Sequence, residues 1–262
     1  MLALRGVRVV YNRGSTTEVV ALRDVSLEVP SGQFVTVVGS NGAGKSSLIQ
    51  VVSGAARPAL GSVTIGGVDV TRAPDYRRAT RVARVFDNPQ AGTAPELTIE
   101  ENMALAMNRS RRRGLRFARS RARRHRMWES LEQLGLGLER RLSDTVAQLS
   151  AGQRQSLTLL MAGLCEPEVL LLDEHLAALD PGTQATVMKL TVELVEQLGC
   201  TALMVTHNMA HALQLGDRLL VMSRGRVIAD LDRQTKAGFT VSELVNTLSD
   251  AGDVLSDRVL LA

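Results

Sequence analysis

Apolar positions along the chain fall into short runs with distinct periods. Val25, Leu27 and Val29 alternate with Ser26 and Glu28 until Pro30-Ser31-Gly32 breaks the run, the pattern of a half-buried strand. Phe34 to Val38 is almost wholly apolar, as a strand covered on both faces should be. Val63 and Ile65 alternate again before Gly66-Gly67. Residues 98–140 contain no proline and are rich in arginine and leucine, with Trp128, Leu131 and Gln133-Leu134 near the end; this stretch is predicted helical. Leu157, Leu160, Met161 and Leu164 fall at i, i+3, i+4 and i+7, one face of a helix. Val169–Leu172 and Ala202–Val205 read as buried strands, and Leu219–Met222 and Arg226–Ile228 flank Ser223-Arg224-Gly225 as a hairpin. Val241, Leu244, Val245 and Leu248 predict a last amphipathic helix. Strands alternating with helices predict an α/β fold with a mainly parallel sheet covered on both sides.

Composition narrows this picture. A chain of 262 residues with 45% hydrophobic and 22% charged side chains is one α/β domain, with room for a small inserted subdomain. No run approaches eighteen apolar residues, so no membrane span is expected. The opening MLALRGVRVVYN lacks the apolar stretch of a secretory signal. Cys165 and Cys200 each sit in apolar surroundings, which predicts buried, reduced thiols and a cytosolic setting. Aromatics at 3% argue against a nucleic-acid binder that stacks bases. Ten arginines and no acid lie between Arg109 and Arg126, so a chain of net charge +4 is −6 outside that segment. The run reads either as a solvated helix face or as a contact with anionic lipid; the acidic remainder makes nucleic acid an unlikely partner.

The chemistry sits in two motifs. Gly39-Ser40-Asn41-Gly42-Ala43-Gly44-Lys45-Ser46 fits G-x-x-x-x-G-K-[ST] between a buried strand and a helical stretch. Glycines let successive backbone N–H groups turn around phosphate oxygens, and the helix N-terminus adds unpaired donors and partial positive charge. Lys45 is placed to meet the β- and γ-phosphates and Ser46 to offer a hydroxyl to Mg²⁺, with Ser47 beside it. Val169–Leu172 ends in Asp173-Glu174. A buried strand aims its C-terminal residues at the ligand crevice, so Asp173 can reach Mg²⁺ while Glu174, one residue on, points elsewhere and can polarise a water.

Leu149-Ser150-Ala151-Gly152-Gln153 resembles the LSGGQ signature of ABC ATPases, the nucleotide-binding subunits of ABC transporters. Further motifs follow the family order: Tyr11, Val85-Phe86-Asp87-Asn88-Pro89, Ala178-Leu179-Asp180 and Val205-Thr206-His207. The resemblance spans about residues 2 to 240. It implies a P-loop ABC ATPase fold, with an antiparallel β subdomain and an inserted α-helical subdomain. The nucleotide-binding core would be 1–88 and 166–240, the helical signature subdomain 89–165 and a C-terminal helical tail 241–262. It further implies Tyr11 stacking on adenine, Asp87 and Asp173 at Mg²⁺, Glu174 and His207 as catalytic residues, and Asp180 coupling the dimer. Ser150, Ala151, Gly152 and Gln153 would face ATP held by the other copy of the chain. Standing alone, Tyr11 reads equally as packing and His207 as a cap or core residue.

Two departures stand out. Asp87 occupies the place of a family glutamine, and Ala151 that of the first signature glycine. If Ala151 needs positive φ it costs roughly 1 kcal/mol; if helical it is neutral or helpful. Asp173-Glu174-His175 with Ala177-Ala178-Leu179-Asp180-Pro181 resembles a little-described importer branch associated with small molecules, including amino acids. The implied protein is a peripheral ATPase on the cytoplasmic face of the membrane, working as a homodimer beside an integral permease and, indirectly, a solute-binding protein. An exporter subunit, a soluble ABC ATPase of repair or translation, and a regulator without turnover are the rival readings.

Overall fold

The computed structural model describes residues 1–109 and 121–252. In chain order the strands and helices are β1 (Leu2–Tyr11), β2 (Val19–Val29), β3 (Phe34–Gly39), α1 (Lys45–Ser53), β4 (Leu60–Ile65), β5 (Val68–Asp69), α2 (Asp75–Arg78), β6 (Val82–Val85), α3 (Ile99–Met107) and α4 (Arg121–Glu132). There follow α5 (Ala151–Gly163), β7 (Val169–Asp173), α6 (Pro181–Leu198), β8 (Thr201–Val205), α7 (Met209–Gln214), β9 (Arg218–Ser223), β10 (Arg226–Leu231), α8 (Arg233–Ala237) and α9 (Val241–Asp250).

Two sheets form. The order β10-β9-β3-β8-β7-β6 is parallel from β9 to β6, with β10 antiparallel at one edge; β2-β1-β4-β5 is antiparallel. Every residue of β3, β7 and β8 is buried, which is why these runs lack an alternating period. The hairpin joining β9 to β10 turns through Arg224 and Gly225, both at positive φ (47° and 80°), as a two-residue turn between right-twisted strands requires.

The core has four parts. Leu4, Leu22 and Leu27 of the antiparallel sheet close with Leu48, Val51 and Val52 of α1 over Val35, Val37 and Leu171 of the parallel one. Leu170, Leu172 and Met204 on its opposite face pack under α5 and α6. Ile99, Met103, Met127, Leu131, Leu157 and Leu160 form a separate helical cluster. Leu244 and Leu248 of α9 pack against Val38, Leu219 and Val221, so this helix shares a core with the sheet.

The helical expectation for 98–140 holds in part. Helices cover Ile99–Met107 and Arg121–Glu132, but Gly135 and Gly137 adopt positive φ (64° and 70°) and only a 3₁₀ turn follows at Leu138–Arg140. The glycines end α4 because they alone take the left-handed conformation cheaply. Asn102 pins the loop before α3: its amide donates to the carbonyls of Ala94, Leu97 and Thr98 and accepts from the Ala94 N–H. Of the arginine run, Arg111, Arg112, Arg113, Arg116 and Arg119, with Phe117, lie outside the described residues. Arg121, Arg124 and Arg126 are exposed on α4 beside a partly exposed Trp128.

Arg78 is buried and serves the backbone. It donates to the carbonyls of Val51 (2.5 Å) and Val52 (3.0 Å) at the end of α1, and to Ala73 (2.9 Å) and Thr71 (3.2 Å). Helix-end carbonyls have no intrahelical partner, and a cation there meets both their lone pairs and the helix dipole. Burial lowers the arginine's pKa. Arg78→Met keeps the volume but leaves those carbonyls unpaired in the interior. It should destabilise the protein by about 3 kcal/mol, read as a lower urea midpoint with an unchanged slope.

Candidate functional site

The parallel sheet sets the site. β3, β8 and β7 are neighbours in register, so the residues that follow them emerge side by side in the crevice beyond their C-terminal ends. After β3 come Ser40 to Gly44; after β7, Glu174; after β8, Thr206 and His207.

The loop from Gly39 is shaped by its glycines. Gly42 and Gly44 adopt positive φ (80° and 102°). A Cβ on Gly44 would lie 2.7 Å from the Ala21 carbonyl, whereas one on Gly42 would meet nothing within 4 Å. One glycine makes room for neighbouring backbone and the other keeps the mouth open. The β9–β10 turn supports the loop, with Gly225 N–H donating to the Ala43 carbonyl at 2.9 Å. Lys45 is buried, and its Nζ donates to the carbonyls of Gly39 (2.7 Å) and Ser40 (3.0 Å). Ser40 is buried, Ser46 is exposed, Ser47 half-buried, and Asn41 stands exposed at the tip. α1 starts at Gly44 with no side-chain cap, whereas Thr98, Ser150, Asp180, Asn208, Asp232 and Thr240 cap α3, α5, α6, α7, α8 and α9. The donors at the start of α1 are thus arranged for an external anion.

Glu174 follows β7 with φ 49°. This left-handed step costs about 1 kcal/mol and turns the side chain away from the direction of Asp173. Its Oε1 lies 2.7 Å from His207 Nε2. That hydrogen bond, above all, holds the Glu174 carboxyl below the usual glutamate range, with Lys45 helping. Asp173 stands 2.6 Å from Arg84 Nη2. Burial raises its carboxyl against the pull of Arg84, and the charges of Glu174 and Asp87 add to the rise. Asp87 itself is exposed, in a bend just after β6.

Tyr11 is half-buried against the core of α1. Its hydroxyl donates to Gln50 Oε1 (2.8 Å) and Ser47 Oγ (3.4 Å), so its ring is fixed beside the loop-bearing helix. Ser150 caps α5 in a reciprocal box with Gln153, and Ala151 is the first residue of that helix, without positive φ; the alanine is therefore unstrained. A Cβ on Gly152 would lie 2.2 Å from Thr183 Cγ2 on α6, so a larger residue there requires the Thr183 side chain to turn away. Asp180 caps α6 by accepting from Thr183 N–H (3.1 Å).

Three residues beside the candidate site make contacts that a motif-based reading does not give. Gln155, two positions beyond the signature glutamine, donates to the carbonyls of Phe86 (3.1 Å) and His175 (2.8 Å). It joins the signature helix to the residues beside Asp87 and Glu174. His175 is wholly buried against Thr191 (2.9 Å), and burial lowers its pKa to about 3, so it is neutral. Arg84 is the third. The one available signal was Arg84, a charged residue inside the otherwise apolar run Val82 to Phe86; Gln155 lies among polar residues and gave none. Cys165 and Cys200 are buried and burial raises both thiols, as expected. No helix among the described residues is long and apolar enough to cross a membrane.

A glycine loop of phosphate-binding pattern after β3, two acids at the end of β7 two strands away and a separate helical cluster are the features of a P-loop ATPase with an inserted signature helix. The ABC transporter family model matches residues 22–177, and the chain belongs to that family as an ATP-binding, ATP-hydrolysing subunit. It is 41% identical over 222 residues to the tyrosine transport ATP-binding protein of Clostridioides difficile, covering 85% of this chain and 88% of that one. It is 36% identical over 238 residues to the methionine import ATP-binding protein of Streptomyces coelicolor, covering 87% of this chain and 64% of that one. The fold resembles a dimeric ATP-binding cassette in a post-hydrolysis state bound to ADP and Pi, with TM-score 0.77, 29% identity, and coverage of 91% of this chain and all of that one.

The Glu174–His207 bond has a pH signature. A depressed folded-state pKa stabilises fully above the unfolded glutamate value of 4.5 and loses that contribution as pH falls through the folded value. His207→Ala should therefore lower Tm near pH 6–7 by roughly 2–4 °C, the equivalent of about 1 kcal/mol. The difference from wild type should shrink below about pH 4. A Tm difference independent of pH between 3 and 7 would show that the bond does not form.

Proposed function

We propose that the protein energises an importer of a small solute, an amino acid, from the cytoplasmic face of the membrane. Two copies would sandwich two ATP molecules, docked on an integral permease served by a solute-binding protein. The transport and import names of its relatives support this direction and substrate class. The exposed arginines of α4 support a contact with anionic headgroups beside the permease.

The observation that carries the catalytic reading is Glu174, ionised, bonded to His207 at 2.7 Å and in the field of Lys45, after strands that share the parallel sheet with β3. In this reading Glu174 accepts a proton from the attacking water. His207 holds the carboxylate in place and reaches the γ-phosphate. Lys45 and the N–H groups at the start of α1 bind the phosphates, and Tyr11 supports the adenine. Ser150, Ala151, Gly152 and Gln153 present the N-terminus of α5 to the γ-phosphate bound by the second copy, and Asp180 lies at the dimer contact. The donor set fits Mg²⁺: the Ser46 hydroxyl and Asp173 carboxylate are hard oxygen ligands, and the cation now at Asp173 is a guanidinium. Asp87, whose charge reaches Asp173, would complete the oxygen set. Mg²⁺ held there would neutralise charge on the β- and γ-phosphates.

Glu174→Gln should retain ATP binding and lower turnover by about 10²-fold or more, the size of a lost general base. It should also accumulate an ATP-bound dimer on size-exclusion chromatography. Turnover like wild type would remove Glu174 from the chemistry. Asp87→Lys places a cation near Asp173 and should nearly abolish ATPase activity, measured as phosphate release across a Mg²⁺ titration. Normal hydrolysis in that variant would place Asp87 outside the site.

A further inference from the structure

Arg84 lies within the apolar run Val82 to Phe86 on β6, where its neighbours Val82, Ala83 and Val85 are buried. β6 pairs in parallel with β7, and Arg84 stands opposite Leu171. Residues in register on parallel strands share a face, as do residues two apart on one strand. Arg84, Leu171 and Asp173 are therefore on the same face, and Leu171 packs in the cluster that contains α1. This is the face of the phosphate loop. Asp173 lies two residues, about 7 Å, further along the strand direction, a span that an arginine side chain can bridge. Its Nη2 meets Asp173 Oδ2 at 2.6 Å. The guanidinium carbon sits 4.5 Å from the centroid of the Phe86 ring, two residues on and on the same face. Both partners of the ion pair are largely buried.

The arginine is not held by a full set of bonds. Its Nε is buried with no acceptor among the described residues, a state that carries a desolvation penalty and favours an alternative position. The carboxylate of Asp87 acts on Asp173 and is itself exposed at the solvent edge. The pair thus places a resident cation on the carboxylate that the functional reading assigns to Mg²⁺.

We propose that Arg84 is a positioning residue that holds the Asp173 carboxylate in the nucleotide-free site and competes with the divalent cation for it. The proposal rests on the reading of Asp173 as a cation ligand. Arg84 keeps the buried carboxylate aimed and compensated while the site waits. It must surrender Oδ2 when a cation binds there, sliding along the Phe86 ring toward Asp87. The cost of separating the pair is subtracted from cation affinity.

The test is an electron paramagnetic resonance titration of Mn²⁺ onto the full-length protein saturated with a non-hydrolysable ATP analogue. Arg84→Met, which replaces the aliphatic stem and removes the charged head, should bind Mn²⁺ about tenfold more tightly, the equivalent of one charge-assisted hydrogen bond at a largely buried site. Arg84→Lys keeps the charge but loses the planar fork, and should tighten binding about threefold; it carries the test if the methionine variant does not fold. Binding of a fluorescent ATP analogue in the presence of a chelator should be unchanged in both. Unchanged or weaker Mn²⁺ binding in the Arg84 variants overturns the competition, and loss of metal-free nucleotide binding overturns it by placing Arg84 on the phosphates. Asp173→Asn separates this failure from failure of the site reading. It should weaken Mn²⁺ binding and abolish the effect of Arg84→Met. Mn²⁺ affinity like wild type in Asp173→Asn would remove Asp173 from the metal and the proposal with it.

Discussion

Parallel pairing of β3 with β8, and of β8 with β7, governs where every reactive group can stand. The ladders pair Phe34–Val37 with Ala202–Val205 and Val169–Asp173 with Thr201–Val205, which sets Val37, Val205 and Asp173 side by side. The C-terminal ends of these strands are consequently level, and the residues that follow them have one crevice to enter. The phosphate loop, Glu174 and His207 meet there although they belong to distant parts of the chain. The antiparallel sheet serves the same arrangement from outside, since its apolar face closes over α1 and holds Tyr11 against Ser47 and Gln50.

Charge within the crevice is balanced locally. Asp173, Glu174 and Asp87 are three acids close to one another, and each has a different environment. Glu174 is kept ionised by its bond to His207, Asp173 is buried and compensated by Arg84, and Asp87 stays in solvent. Two carboxylates on successive residues acquire separate roles because the left-handed backbone at Glu174 sends them to different partners. The two acids therefore stand at separate cationic or polar partners, Arg84 and His207, and do not share a proton.

The two helices that flank the site are fastened to each other and to it. Gly152 lets α5 approach Thr183 of α6 within the space of a missing methyl group, and Asp180 caps the N–H of that same Thr183. Gln155 then ties α5 to the backbone beside Asp87 and Glu174. The signature helix is thus joined to the carboxylate region by defined hydrogen bonds.

Local chemistry was legible in the sequence. The spaced glycines Gly39, Gly42 and Gly44 before Lys45, an apolar run ending in Asp173-Glu174, and the spacing of Leu244 and Leu248 each express a constraint satisfied within a few residues, so periodicity and motif order identified them. The break after α4 was missed because helical composition around Trp128 outweighed two glycines whose positive φ is a property of the folded backbone. The contacts of Arg84, Gln155 and His175 were invisible for a different reason. The partners of these side chains are 89, 69 and 16 residues away in the chain, and a polar residue's identity says only that some partner exists. Parallel register decides that Arg84 meets Asp173, and the close approach of α5 to α6 decides that Gly152 meets Thr183. These contacts arise where strands and helices distant in sequence pack together, because hydrogen bonds and ion pairs act over a few ångströms of space, however many residues of chain lie between.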